Sequence, residues 1–452
     1  MSLAGGTPDQ YAPINEPSDV EPRPNTPMLQ VFSSAWALLL GVGLLMVGNG
    51  LQGTLLGVRG QIEGFSTLEM SFVMSAYFIG FLGGSRMAPD MIRRVGHVRV
   101  FAALASFISA VMVMYPLFAH PWAWFAGRVV IGFCFSGVYV TAESWLNNAA
   151  SNENRGKALS LYMIVQVLGI VIAQAVFLVA DPSGFETFII ASVVISISFG
   201  PILLSISPTP AFDTVKPMSL RQLFITSPLG CVGMFLLGGV FSSQFGMSAV
   251  YGAEAGLSLE QISAFVATFY VGAMVLQYPL GWISDRMDRR GLIVVVAALG
   301  GLGAVMGMVM GGQYAMLLTA AFIIGGTTNP LYSLLIAHTN DFLGQDKMAA
   351  ASGGLVFING LGAIAGPLIT GWLMGPAVFG PPGYFLFMIL LLFALALYAV
   401  YRSTRRAALP VKNTGAVAAM YPTASPMAVE LAQEYAHEAE VAAASADDKA
   451  AG

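Results

Sequence analysis

Residues 132–147 read GFCFSGVYVTAESWLN, and residues 325–340, 193 positions further on, read GGTTNPLYSLLIAHTN. Gly132 recurs as Gly325, Tyr139 as Tyr332 and Asn147 as Asn340. Working outward in the same register, Tyr77 returns as Tyr270, Gly169 as Gly362, and Gln166 as the related amide Asn359. One residue of slippage aligns Gln52 with Gln244. A repeat this long inside an apolar chain is how secondary transporters are built, with the solute held near the bilayer midplane between two halves.

Hydrophobic residues make up 56% of the chain and charged residues 10%, too little polar surface to cover a soluble protein of this size. Twelve apolar stretches of about 20 residues or more are long enough to cross a hydrocarbon core about 30 Å thick as helix. They lie near 32–57, 67–87, 98–118, 122–147, 157–180, 186–206, 227–252, 260–283, 291–311, 314–338, 349–374 and 384–402, numbered here as spans one to twelve. The expected fold is an all-α membrane protein of two pseudo-symmetric six-helix bundles, residues 31–206 and 227–403, joined by a linker over 207–226 rich in proline.

The 20 Lys and Arg residues set the orientation, because basic residues concentrate in cytoplasmic loops. Arg128 falls within span four and Arg59 follows span one; the other eighteen fall on one face of the twelve-span map. That bias places both termini and the linker in the cytoplasm, in the inner membrane if the chain is bacterial. Residues 1–30 are rich in proline and acidic side chains and read as a disordered tail, with no basic region leading into a short apolar core as a signal peptide has. Residues 404–452 read as a second cytoplasmic tail, in which Glu430, Glu434 and Glu438 suggest a short solvated helix and the tail as a whole carries no assigned role. The net charge of −4 and the scatter of basic residues over many loops exclude a nucleic-acid groove. Cys134 and Cys231 sit inside apolar spans and offer neither a disulfide framework nor a metal site.

The most specific local signal follows span eight: Gly281, then Asp285 and Arg286, then Asp288, Arg289 and Arg290. One acid among several arginines in a tight turn can lock two helices by charge-assisted bonds in one conformation and release them in another. This run resembles the Gly-x-x-x-Asp-Arg-x-Gly-Arg-Arg loop of the major facilitator superfamily, with Asp288 in place of the second glycine. The loop between spans two and three carries Arg93, Arg94, Val95 and Gly96 at the end of the same pattern, with Asp90 three residues upstream. These two loops supply the candidate gating residues Asp90, Arg93, Arg94, Asp285, Arg286, Arg289 and Arg290. Simple positive-inside topology is the alternative for both.

Arg128, Gly132, Tyr139 and Glu143 project within about 60° of one another at 100° per residue, so they form one stripe on span four. A charge at membrane depth is costly and normally faces protein or a water-filled cavity. Arg128 with Gly132 resembles the family's fourth-helix Arg-x-x-x-Gly motif, which implies a role in coupling or in meeting substrate charge; a structural ion pair is the alternative. Glu143 would accept a coupling proton or latch onto the Arg93 and Arg94 loop. His338 lies about 240° around span ten from Tyr332 and is expected to be structural.

The remaining polar residues of the spans are neutral: Asn49, Gln52, Tyr77, Gln166, Gln244, Tyr270, Gln277, Asn329, Tyr332, Ser333 and Asn359. The resemblance implies that spans one, two, four, five, seven, eight, ten and eleven line the path while the others face outward, and every one of these residues falls on a lining span. Together with Tyr139 they form the candidate substrate site, one that binds by stacking and hydrogen bonds; interhelical packing is the alternative for any single member. Span eleven carries Gly362, Gly366, Pro367 and Gly371, similar to a glycine-proline signature that family antiporters bear on span five, where this chain has Gly169 and Gln174 without proline.

The whole reads as a secondary transporter of a small neutral or amphiphilic solute working by alternating access, with protons as the expected coupling ion. No Gly-x-x-x-x-Gly-Lys loop is present to bind nucleotide, and no nucleophile, metal cluster or acid pair is spaced for catalysis, so an enzyme is not expected. The expected partners are the solute, protons and the lipid bilayer, the expected unit is a monomer, and no cofactor, metal or nucleic acid is implied. A transporter-like sensor that binds solute without moving it and a facilitated uniporter remain the alternatives. With Cys134 and Cys231 replaced, a Val215→Cys protein in intact cells should resist a membrane-impermeant maleimide and label only after permeabilisation; strong labelling from outside would overturn the topology.

Overall fold

The computed structural model describes residues 28–149, 155–204 and 218–405, together with Val417, Met420, Val429 and Ala432. Twelve helices in it are long and apolar enough to cross a membrane: Trp36–Ile62, Thr67–Val95, His97–Leu117, Pro121–Leu146, Ala158–Val176 and Glu186–Leu204, then Pro228–Gly246, Leu259–Ser284, Arg289–Met310, Tyr314–Asn340, Ala350–Leu373 and Gly383–Arg405. The chain is an integral, multi-pass membrane protein of two six-helix halves. Of the N-terminal tail only Met28, Leu29 and Gln30, and of the linker only Met218 onward, fall within the described residues, and the expected helix at Glu430, Glu434 and Glu438 lies outside them.

Several helices outrun the apolar stretches that announce them. Span two is 29 residues long, about 44 Å at 1.5 Å per residue against a core of about 30 Å. Its polar last turns, with Arg86, Arg93 and Arg94, therefore project beyond hydrocarbon as helix. Arg59 belongs to the last turn of span one rather than to the loop after it. There its guanidinium bonds to Glu63 at 2.6 Å and to the carbonyl oxygens of Pro182 at 3.0 Å, Ser183 and Gly184, tying the span five to six loop. The stretch expected as one span over 227–252 divides at Met247 into Pro228–Gly246 and a short helix, Ser248–Glu254. In the linker, Ser219 caps a further short helix, Leu220–Thr226, whose Leu223 is buried.

Lipid offers no hydrophobic drive between helices, so close packing must hold the bundles together. The repeated glycines are where that packing is tightest. A Cβ on Gly132 would overlap the carbonyl of Tyr77, pinning span four to span two, and a Cβ on Gly325 would overlap the carbonyl of Phe269, pinning span ten to span eight. Likewise Gly169 meets the span one backbone at Gly43, and Gly362 meets the span seven backbone at Phe235. Each half thus repeats the same two crossings. Among the described residues, spans three, six, nine and twelve pack mainly within their own half, with large apolar side chains such as Phe107, Ile197, Val309 and Leu397 exposed for lipid.

The two halves meet through spans two and eleven, spans five and eight, and span one with Ser248–Glu254. Polar contacts seal this interface on the face that carries Arg59: Gln61 Nε2 donates to the Ala253 carbonyl at 3.0 Å, Thr67 Oγ1 to Glu254 Oε1 at 2.8 Å, and Ser75 Oγ to the Ile364 carbonyl at 2.6 Å. Gly132→Leu and Gly325→Leu should each abolish most folded, monodisperse protein in detergent, because a backbone crossing cannot yield as a side chain does. Gly291→Ala, where no atom lies within 4 Å of the new Cβ, should match the parent in yield and thermal midpoint.

Candidate functional site

Five of the residues singled out in the sequence gather around one buried charge. Arg128 is fully buried and its Nη1 donates to Gln52 Oε1 at 2.7 Å. Gln52 Nε2 donates at 3.4 Å to Asn49 Oδ1, Asn49 Nδ2 donates at 3.0 Å to the Tyr139 hydroxyl, and that hydroxyl points at the Met46 sulfur at 3.4 Å. The direction of this chain is dictated by its source, since a guanidinium can only donate. Helix geometry makes it possible: Asn49 and Gln52 are three apart on span one, while Arg128 and Tyr139 share the stripe on span four.

Arg128 has no carboxylate within salt-bridge distance among the described residues. Its charge is met by the Gln52 carbonyl, by the Met74 sulfur at 3.2 Å from Nη2, and by the face of Tyr77, whose ring centroid lies 5.0 Å from the guanidinium carbon. Such cation–π contact strengthens when desolvated. Among the described residues, the Nε of Arg128 and the Tyr77 hydroxyl, beside Asn49 and Tyr139, fall short of hydrogen-bond geometry with any group. Tyr77 also packs on Phe78, Phe81, Phe135 and, across the interface, Phe245. A narrow cleft bounded by Tyr77, Phe81, Phe241, Phe245 and Asn359 runs between the halves here.

The C-terminal half contributes a second polar group. Gln277 Nε2 donates to Ser333 Oγ at 2.9 Å, while Gln277 Oε1 and the neighbouring Tyr332 hydroxyl are buried without a partner. Tyr270 is half-buried on span eight. Gln166, 6% exposed, makes no hydrogen bond among the described residues. Other members of the set are committed to packing: Gln244 Oε1 accepts from Thr328 at 3.0 Å, Asn329 donates to the Gly325 carbonyl at 3.3 Å, and Asn359 donates to the Met234 carbonyl at 3.0 Å. The pair Gln166 and Asn359 is therefore equivalent in position and unequal in freedom.

Glu143 is 1% exposed and accepts from the Tyr162 hydroxyl of span five at 3.1 Å. The loop arginines do not reach it: Arg93 bonds to Asp90 at 2.7 Å as an exposed pair on one turn, and Arg94 is exposed. The C-terminal loop is built differently. Asp285 ends span eight and its Oδ1 accepts from the Val417 backbone at 3.0 Å. Arg286 lies over the Trp282 ring, its guanidinium carbon 4.0 Å from the centroid. Asp288 caps span nine, accepting from the Arg290 backbone at 3.1 Å, which is why an acid serves where the family pattern has glycine.

Arg289 forms a buried ion pair with Asp341 at 2.6 Å, joining the start of span nine to the end of span ten. Arg290 is buried near the start of span seven, in a small pocket with His338 and Arg402. His338 packs edge-on against Phe342, ring centroids 5.2 Å apart. Sequence reading passed over Asp341, Met74, and the buried pair of His97 with Ser144 at 2.9 Å. An acid directly after span ten was the available signal for the first; a thioether or a serine inside an apolar helix carries none.

The sequence model described as Major Facilitator Superfamily matches residues 38–258 and again 229–429, once for each half. The chain is 26% identical over 345 residues to the MFS-type transporter YcaD of Escherichia fergusonii, covering 75% of this chain and 88% of that one. A similar MFS-type transporter of Yersinia pestis matches at 26% over 343 residues, with the same coverage. Among solved structures, a bacterial homolog of the human lysosomal transporter Spinster, inward-facing and occupied, superposes with a TM-score of 0.68 at 13% identity, covering 86% of this chain and 99% of that one. The nucleoside transporter NupG superposes with a TM-score of 0.61 at 13% identity, covering 80% and 98%. These structures share the fold.

The buried guanidinium supplies a test of this site. Gln52→Leu removes the only carbonyl acceptor of Arg128 and should cost about 1.5–3 kcal/mol of stability, the range for a hydrogen bond to a charged group. Gln52→Glu places a carboxylate at the same reach and should unfold at or above the parent temperature in detergent. A Gln52→Glu protein less stable than Gln52→Leu would mean that Arg128 is already neutralised.

Proposed function

We propose, for a chain that belongs to the Major Facilitator Superfamily, that it carries a small amphiphilic solute across the membrane by alternating access, driven by protons. One observation carries the reading. Polar atoms buried without partners lie on path-lining spans of both halves: Arg128 Nε and the Tyr77 hydroxyl in one, Gln277 Oε1 and the Tyr332 hydroxyl in the other. Leaving such atoms unsatisfied costs roughly 1–3 kcal/mol each, a cost that a bound solute or water removes. Phenylalanines 78, 81, 241 and 245 supply the apolar wall between them.

Arg128 shapes the solute class. A buried cation without a carboxylate favours a ligand whose polar end accepts hydrogen bonds or bears negative charge, and the aromatic wall favours an apolar body. Orientation follows from the basic residues, with the face of Arg86, Arg93, Arg94, Arg289 and Arg290 in the cytoplasm. On that assignment the sealed interface at Gln61, Thr67 and Ser75 is the outer gate, and the described state faces inward.

Glu143 is assigned the proton. It is a buried carboxylate on span four that accepts from Tyr162 of span five, while Arg93 pairs with Asp90 and Arg94 is exposed. Purified protein should be screened for solutes by thermal shift, since a ligand that binds the folded state raises its midpoint, and hits then followed in proteoliposomes under an imposed pH gradient. Accumulation against a concentration gradient is the expected result; binding without any translocation would replace the transporter reading with the sensor. Glu143→Gln should lose at least 10-fold in gradient-driven accumulation while retaining counterflow exchange, which needs no net proton movement. Loss of both modes together would return Glu143 to a structural role.

A further inference from the structure

We propose that the chain's own C-terminal tail, at Met420, is an internal ligand of the central site and competes there with the solute. The inference rests on the transporter reading for its consequence and on the contacts alone for the occupancy. Met420 is 1% exposed. Its backbone N–H donates to Ser333 Oγ at 2.9 Å and its carbonyl accepts from the same hydroxyl at 3.2 Å. Ser333 Oγ also accepts from Gln277 at 2.9 Å. One donation and two acceptances exhaust a serine hydroxyl, so with the tail in place neither Ser333 nor the Gln277 amide N–H bonded to it is free for a solute.

The depth is consistent at both ends of the segment. Ser333 lies seven residues before Asn340, the end of span ten, or about 10 Å down the helix at 1.5 Å per residue. Val417, whose N–H is held by Asp285 at the rim, is three residues from Met420, and three extended residues reach about 10 Å. From Arg405, the end of span twelve, twelve residues lead to Val417 and reach up to about 40 Å. Further along, Val429 and Ala432 are helical and fully buried, three apart and so on one face. The two groups that hold the segment, Asp285 and Ser333, both belong to the second half.

Recognition through a backbone N–H and C=O, with a flexible methionine filling the gap, makes a weak and releasable contact. Tethering compensates, because a short linker presents its end at millimolar effective concentration. A segment lodged beside spans eight and ten blocks closure of the basic face, which holds the transporter in the described state until the tail leaves. The Asp285 carboxylate thereby serves the tail as well as the loop.

Alkylation tests this without knowledge of the solute. In a background lacking Cys134 and Cys231, Ser333→Cys should react with N-ethylmaleimide at least 5-fold faster when the chain ends at Arg405 than when it is full length. Should truncation impair folding, full-length Met420→Asp is the second variant, expected to accelerate alkylation likewise by expelling a charged side chain from a buried place. Equal rates in the full-length, truncated and Met420→Asp proteins would overturn the proposal. A double Ser333→Cys, Met420→Cys protein with a protease site at 410 should retain its tail fragment after oxidation and cleavage, and release of the fragment would likewise overturn it. Protection of Ser333→Cys by the tail together with no solute transport by any form would leave the occupancy standing and reject the transporter reading instead.

Discussion

The backbone crossings at Gly132 and Gly325 are the constraint on which the other features depend. In hydrocarbon a helix keeps its own hydrogen bonds, and what remains to hold helices together is contact. Where Gly132 meets the Tyr77 carbonyl and Gly325 meets that of Phe269, two helices are fixed at backbone distance in each half. That fixes level as well as separation. Tyr139 and Tyr332 stand seven residues beyond their glycines, two turns further along the same stripe, so both reach the interface at matched depth.

Within that frame the energetic outlier is the guanidinium of Arg128. Full burial of an ion without a counter-ion is expensive, and the surrounding groups offset only part of it: one amide carbonyl, one thioether and one aromatic face. The amide chain through Gln52 and Asn49 to Tyr139 spreads the polarisation across spans one and four. A network ordered by one charge responds when that charge finds a partner. The amide chain ends at Tyr139, whose ring packs on Phe81 beside the cleft between the halves.

The architecture was legible from hydropathy and from the spacing of the repeat, because lipid imposes simple rules on the length of a span. Helical phase also grouped Arg128 with Tyr139 correctly. Phase says which residues share a stripe, but a partner on another helix depends on crossing points that one sequence does not print. Hence Gln166 and Asn359 looked alike and are not: the Asn359 amide is spent on the span seven backbone where Gly238 lets the helices touch. The same limit hid Asp341, which becomes a partner for Arg289 only when spans nine and ten close beside each other. Met420 lay beyond any periodic signal, in a tail whose composition suggests solvent.

Where the repeat keeps its glycines and tyrosines, it drops its charges. In the 193-residue register Arg128 corresponds to Ala321 and Glu143 to Ile336, while Asp285 corresponds to Ile92, Arg289 to Gly96 and Ser333 to Val140. The membrane-buried ions thus sit in the first half, and the buried ion pair, the capped loop and the tail contacts sit in the second. The two halves therefore agree in packing and differ in chemistry, and they meet at the surface they share. In the described state that surface includes the contact of the Tyr77 ring with Phe245 and the bond from Ser75 to the Ile364 carbonyl.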